Sequence, residues 1–154
     1  MLVEFDSLPG SSKVYYYPSS RKFYPNELPK LKASIEAFCE GQEAQISYRL
    51  VYDRFVLFFV PDTTPLTLED NDRLVEFVQS LESEYQVSLL DKVNVCFKQG
   101  EFVQRKEIPD FKKLLKSRSV SAKTIVLDPM INTKSEFESN WEVPLSESWL
   151  CHLL

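Results

Sequence analysis

The residues best suited to chemistry lie near the start of the chain, where three consecutive tyrosines precede a basic pair and the first predicted helix. The candidate ligand-binding residues are Tyr15, Tyr17, Arg21 and Lys22. An arginine beside the free amides of a helix start can bind phosphate, so this stretch predicts a small-anion or phosphate-compound site. The alternative prediction is structural, with Arg21 or Lys22 paired to an acid and the aromatic rings packed in the core.

A second cluster lies near the end of the chain and joins polar residues to two tryptophans. Its members are Asn132, Lys134, Trp141 and Trp149. An exposed tryptophan is a natural hot spot for a protein partner. These residues therefore predict a partner-binding surface, and the alternative is a turn that feeds two tryptophans anchored in the fold.

Several kinds of site are excluded by residues that the chain lacks. It has three glycines, and they form neither a P-loop nor G-x-G-x-x-G, which excludes Walker-type ATP hydrolysis and a Rossmann dinucleotide site. The one histidine, His152, lies next to Cys151, and the three cysteines include no C-x-x-C pair. We predict no metal, no cofactor and no catalytic residue, and the residues favour a protein that is not an enzyme.

The charge distribution bears on partners. A net charge of −5 and a pI near 5.0 argue against nucleic acid. The longest apolar run, 55–60, is too short to cross a membrane, so we expect no membrane insertion and a cytoplasmic protein. Eight acids and one base lie within 62–91, whereas ten bases and four acids lie within 92–134. These are either solvated faces or surfaces for self-association or a protein partner.

The elements that position these residues follow from hydrophobic periodicity. The predicted strands are 14–17, 46–52, 55–60, 93–97, 102–105 and 124–127, of which 55–60 is buried. The predicted helices open near Pro25 or Pro29, Thr67 and Pro109, and Thr67 and Asp70 have the spacing of a capping box. This order predicts one α+β domain over 1–154, with a mainly antiparallel sheet and two to three helices. Its β-α-β-β-α-β core is ferredoxin-like and is followed by a β-β-α-β extension. Residues 1–12 form an arm that packs through Leu2, Val3 and Phe5. Residues 135–154 form a tail packed on the domain, which closes with a helical turn at 147–153.

Scattered motifs along nearly the whole chain resemble a family of small uncharacterised bacterial proteins of about this length. The motifs are Arg21-Lys22-Phe23, Tyr52-Asp53-Arg54-Phe55, Lys92-Val93-Asn94-Val95 and Asn132-Thr133-Lys134 followed by Trp141, Pro144, Trp149 and Leu150. Members often carry the label "ABC transporter ATPase", which implies a transporter-associated accessory role. The family's Ser-Gly-Cys-Ser-Ile-Asp stretch is replaced here by Thr64-Pro65-Leu66-Thr67-Leu68-Glu69, so a cysteine function of relatives does not carry over.

Three functions remain open on this basis. The first is a non-enzymatic domain that binds a protein partner or a second copy of itself. The second is a binding protein for a small anion or phosphate compound, which uses the loop after the first strand. The third, implied only by the family label, is an accessory protein of a transporter.

Overall fold

The computed structural model describes all 154 residues, and it shows an α+β chain with four helices and two antiparallel sheets. The chain forms two compact units, residues 1–91 with 132–135 and residues 92–131 with 136–154. The predicted α+β class and the antiparallel pairing are confirmed. The helix count is four rather than two to three, because a helix forms inside the predicted tail.

The sheet of the first unit has three strands in the order β1 (Lys13–Pro18), β3 (Phe55–Val60) and β2 (Ser47–Val51). All six residues of β3 are buried, as expected for the central strand of a sheet that is covered on both faces. The apolar run 55–60 was predicted as a buried strand, and this prediction is confirmed. Strand β2 lies at one edge of the sheet.

Two helices, α1 (Leu28–Glu40) and α2 (Leu68–Tyr85), contribute to the core on one face of this sheet. Their buried stripes follow the helical period. The stripes consist of Leu31, Ile35 and Cys39 in α1 and of Leu74, Val78, Leu81 and Tyr85 in α2. At the start of α2, Thr67 and Asp70 form the predicted capping box, with the Asp70 amide donating to the Thr67 hydroxyl at 3.1 Å.

The opposite face of the sheet is covered in part by the start of the chain. A short 3₁₀ turn, Phe5–Ser7, brings the Phe5 ring edge-on to Phe59 with 4.9 Å between the ring centroids. Within the sheet, the Tyr16 ring stacks on Phe55 at 5.9 Å. The predicted arm therefore packs through Phe5 as expected from its apolar residues.

The second unit is built on a four-stranded sheet. Its strands are β4 (Val95–Gln99), β5 (Phe102–Lys106), β6 (Ile125–Leu127) and β7 (Glu142–Pro144), in the order β5-β4-β6-β7. Helix α3 (Ile108–Lys116) packs Phe111 against Phe97 at 5.1 Å between ring centroids. The fourth helix, α4 (Lys134–Asn140), precedes β7. Two 3₁₀ turns, Leu145–Glu147 and Cys151–Leu153, lie where one helical turn was predicted over 147–153.

The ferredoxin-like arrangement is not confirmed. That arrangement would place the strand after α2 in the same sheet as β1, whereas β4 pairs with β5 on one side and β6 on the other. No edge of β4 is left for β1, because the hairpin through Gly100, with φ +62°, pairs one edge with β5 and the other edge pairs with β6. No helix in the chain combines the length and the apolar character that a membrane crossing requires.

Candidate functional site

The loop after β1 holds Arg21 in a dense set of internal contacts. The two terminal nitrogens of its guanidinium donate to the two carboxylate oxygens of Glu27, at 2.9 and 3.1 Å. The same group donates to the carbonyl oxygen of Tyr85 at 2.6 Å and lies 4.3 Å from the centroid of the Tyr24 ring. Arg21 therefore ties the start of α1 to the end of α2.

The Glu27 carboxylate occupies the place where an external anion was predicted. Besides Arg21, it accepts a hydrogen bond of 2.8 Å from the backbone amide of Tyr24. The hydrogen bond from Arg21 lowers the pKa of Glu27 and raises the pKa of Arg21. An added phosphate would have to displace this carboxylate, so the contacts are those of the structural alternative.

The other residues of this cluster have separate surroundings. Lys22 is exposed, and Tyr15 is half-buried with the Lys13 ammonium 4.9 Å from its ring centroid. Tyr17 is buried in the core of the first unit, and burial raises the pKa of its phenol to about 12. A phenol so far from neutral pH stays protonated and serves the packing of the sheet.

The second predicted cluster is divided between the two units. In the first unit, Asn132 is exposed, and its backbone carbonyl accepts a hydrogen bond of 2.9 Å from the Val14 amide. Lys134, in the same unit, is buried. In the second unit, Trp141 is 4% exposed and lies 5.2 Å from the Phe137 ring, whereas Trp149 is half-buried against the core. Trp141 is an internal anchor, and of the two tryptophans Trp149 has the greater exposure.

A groove in the first unit, which we call the edge groove, was not found from the sequence. It has a volume of about 1010 Å³ and runs along β2 between α1 and the start of the chain. Its lining residues are 2–7, Lys32, Glu36, Glu40 and 47–50. The groove thus combines an edge strand, one helix face and a wall formed by residues 2–7, which we call the N-terminal wall.

The backbone of β2 presents unpaired groups to this edge. At Ile46, just before the strand, the amide donates to Met1 and the carbonyl accepts from Val3, each at 2.9 Å, so both groups point away from β3. Backbone groups alternate in direction along a strand, so Tyr48 and Leu50 point the same way. The backbone N–H and C=O groups of Tyr48 and Leu50 form no hydrogen bond outside the β2–β3 ladder.

Two side-chain contacts define the chemistry on the two sides of the edge. On the α1 side, the Tyr48 hydroxyl donates to the Glu36 carboxylate at 2.7 Å. Burial, followed by this hydrogen bond, raises the pKa of Tyr48 to about 12. On the side of the N-terminal wall, the Arg49 guanidinium lies 4.2 Å from the centroid of the Phe5 ring. The groove is lined by four carboxylates and two cations.

The sequence contained one signal of this site. The alternation of Ile46, Tyr48, Leu50 and Tyr52 predicts a half-buried strand, which is correct for β2 (Ser47–Val51). Alternation does not reveal whether a strand is central or at an edge, because strand order depends on long-range pairing.

No three histidine, cysteine, aspartate or glutamate side chains converge where a metal ion could bind.

Comparison of the chain with protein-family models, curated proteins and solved structures finds no match.

Proposed function

We propose that this chain is a non-enzymatic protein-interaction domain that binds an extended segment of a partner along the edge of β2. The single observation that carries the proposal is the pair of outward-facing, unpaired backbones of Tyr48 and Leu50 in the edge groove. An exposed sheet edge offers a row of N–H and C=O groups to an added strand. Peptide recognition by strand addition uses this arrangement.

The chain itself supports strand addition at this edge. Leu2 pairs with Ile46 as an isolated parallel bridge, through the two hydrogen bonds that Ile46 makes with Met1 and Val3. The chain then forms the 3₁₀ turn at Phe5–Ser7, which lies beside β2 without a backbone hydrogen bond to Tyr48 or Leu50. One residue of the edge is thus already paired by a neighbouring segment, and the backbones of the next two outward positions have no hydrogen-bond partner outside the β2–β3 ladder.

The Tyr48–Glu36 pair in the groove favours a structural role over catalysis. A general acid or base works best when its pKa lies near the working pH. The pKa of Tyr48 is raised to about 12, which moves the phenol away from neutrality. Glu36 acts as the acceptor for that phenol, so the pair stabilises the groove wall.

The proposal is tested by peptide binding to a backbone variant of the edge. The probes are fluorescein-labelled nine-residue peptides of alternating valine and a polar residue, measured by fluorescence polarisation. Leu50→Pro removes one outward N–H, which an edge strand tolerates. Leu50→Ala is the matched control, because it loses the same side chain and keeps the amide. We expect Leu50→Pro to bind about five- to tenfold more weakly than Leu50→Ala, the value of one net hydrogen bond.

A second test leaves the protein unchanged. The same peptides, N-methylated at alternate residues, lose the amides that pair with β2. We expect the methylated peptides to lose most of their binding to the wild-type protein. If no unmethylated peptide binds, or if methylation and Leu50→Pro leave binding unchanged, strand addition at β2 is wrong.

A further inference from the structure

We infer that the segment bound in the edge groove is basic, with a lysine or arginine placed opposite Tyr48. This inference rests on the proposed function and names the chemistry of the partner. Its basis is the charge of the groove together with the strand register that β2 imposes on a guest.

The charges that line the groove are predominantly negative. Glu4 and Asp6 lie on the N-terminal wall, and Glu36 and Glu40 lie on α1. The only lining cations are Lys32 and Arg49, and Arg49 is stacked over the Phe5 ring. The surrounding unit has the same sign, with 15 aspartates and glutamates against 9 lysines and arginines. An acidic guest would be repelled by this field, and a basic guest would be attracted.

The register of an added strand places guest side chains on defined sides. Residues directly opposite each other on adjacent strands project to the same face of the sheet. Tyr48 projects toward the α1 side, where its hydroxyl meets Glu36. A guest residue opposite Tyr48 therefore projects to the α1 side, where the carboxylates of Glu36 and Glu40 outnumber the one ammonium of Lys32. A carboxylate that accepts one hydrogen bond retains further acceptor sites, so Glu36 can pair with a guest ammonium or guanidinium.

The guest positions on either side of that residue project to the other face. They lie on the side of Arg49, where the N-terminal wall presents Phe5 together with Glu4 and Asp6. The Arg49 guanidinium already lies over the Phe5 ring. Small apolar or uncharged residues therefore suit these guest positions. The expected guest is an extended segment in which basic residues alternate with apolar ones.

The experiment uses three of the nine-residue peptides, which are identical except that the alternating polar positions hold lysine, glutamine or glutamate. Fluorescence polarisation with the full chain at low ionic strength gives the three dissociation constants. We expect the lysine peptide to bind about fivefold more tightly than the glutamine peptide and the glutamate peptide to bind most weakly. The difference should shrink in high salt, because exposed charge pairs are screened.

Two double variants assign this preference to the groove. Glu36→Gln with Glu40→Gln removes two lining charges and keeps an acceptor for Tyr48. The matched control is Asp72→Asn with Glu76→Gln, which removes two exposed charges from α2, outside the groove. We expect the groove variant to lose most of the preference for the lysine peptide and the control to keep it. Equal loss in both variants would show a general charge effect and would overturn the inference.

The outcomes separate this inference from the proposed function. If all three peptides bind equally and Leu50→Pro weakens them all, strand addition stands and the basic guest is wrong. If none binds, the proposed function itself fails. If the protein forms a dimer that Leu50→Pro dissociates and the lysine peptide does not displace, the occupant is a second copy and the basic segment is overturned.

Discussion

The ammonium of Lys134 donates a hydrogen bond of 2.8 Å to the carbonyl oxygen of Leu8, across 126 residues of chain. It makes a second bond of 2.9 Å to the Phe5 carbonyl and lies 4.4 Å from the centroid of the Phe5 ring. Lys134 is 6% exposed, so its charge is committed to these contacts. Because Phe5 belongs to the N-terminal wall, Lys134 holds one side of the edge groove in place.

Replacing Lys134 by methionine should loosen this wall. The variant keeps most of the length of the side chain but leaves the Phe5 and Leu8 carbonyls without their charged donor. We expect a loss of about 1–3 kcal/mol in the free energy of unfolding, the usual range for hydrogen bonds to a charged group. Urea denaturation measures the loss, and hydrogen exchange of residues 1–8 should become faster. Unchanged exchange in this segment would show that Lys134 does not hold the wall.

The pair Arg21–Glu27 should make stability depend on pH in the acid range. The pKa of Glu27 is lowered in the folded chain, so its contribution is present above the ordinary glutamate pKa of about 4.3. The contribution is lost as the pH falls through the lower, folded value. Glu27→Gln should be about 1 kcal/mol less stable than the wild type at pH 7, and this difference should shrink below about pH 4. Thermal unfolding at several pH values measures it, and a difference that does not vary with pH would contradict the pairing.

The predicted anion site can be tested on the same loop. Since Glu27 already occupies Arg21, inorganic phosphate should leave the melting temperature of the wild type unchanged. A phosphate ion that binds would raise the melting temperature. At 100 times its dissociation constant, it would add about 2.7 kcal/mol to the free energy of unfolding. A shift that appears with phosphate and disappears in Arg21→Ala would support the anion-binding function instead.

The phenol of Tyr48 should titrate only in strong alkali. Its pKa of about 12 lies above the ordinary value of 10.0, and the neutral form is therefore favoured by folding. Stability should fall as the pH rises above about 10, because the unfolded phenol loses its proton first. Ultraviolet titration of the wild type minus Tyr48→Phe isolates this group from Tyr17. Glu36→Ala should lower the pKa of Tyr48, and an unchanged value would show that burial alone sets it.

Trp149 remains the predicted partner contact with the clearest test. It is half-buried against the core of the second unit, so Trp149→Ala should cost about 1–3 kcal/mol of stability. If Trp149 only packs, the variant will not change self-association or peptide binding once the protein is folded. Sedimentation velocity of the wild type and variant, at low and high salt, separates the two roles.

Local chemistry in the sequence predicted most elements of the fold. The buried run 55–60, the cap at Thr67 and the prolines that open α1 and α3 act within a few residues, so their pattern is readable. Strand order was not readable in this way. Strand β4 could have joined β1, and the choice of β5 and β6 depends on a hairpin turn at Gly100 and on packing distant in sequence.

The candidate site was harder to predict than the fold. The sequence places Arg21 and Lys134 near aromatic residues, but their hydrogen-bond partners are determined only by the folded chain. These partners are Glu27 for Arg21 and the carbonyls of Phe5 and Leu8 for Lys134. The open edge at Tyr48 depends on where residues 1–3 leave β2. The hydrophobic pattern of one strand does not show whether a second strand pairs with its edge.

Amide hydrogen exchange at Tyr48 and Leu50 tests the central claim most directly. Heteronuclear NMR of the full chain resolves these amides. The backbone amide of Arg49, which points toward β3, is the internal reference. We predict fast exchange of Tyr48 and Leu50 in the free protein and at least tenfold slower exchange when the lysine peptide is saturating, with Arg49 slow throughout. If the Tyr48 and Leu50 amides are already protected in the free protein, or stay unprotected with the peptide bound, β2 is not the binding edge.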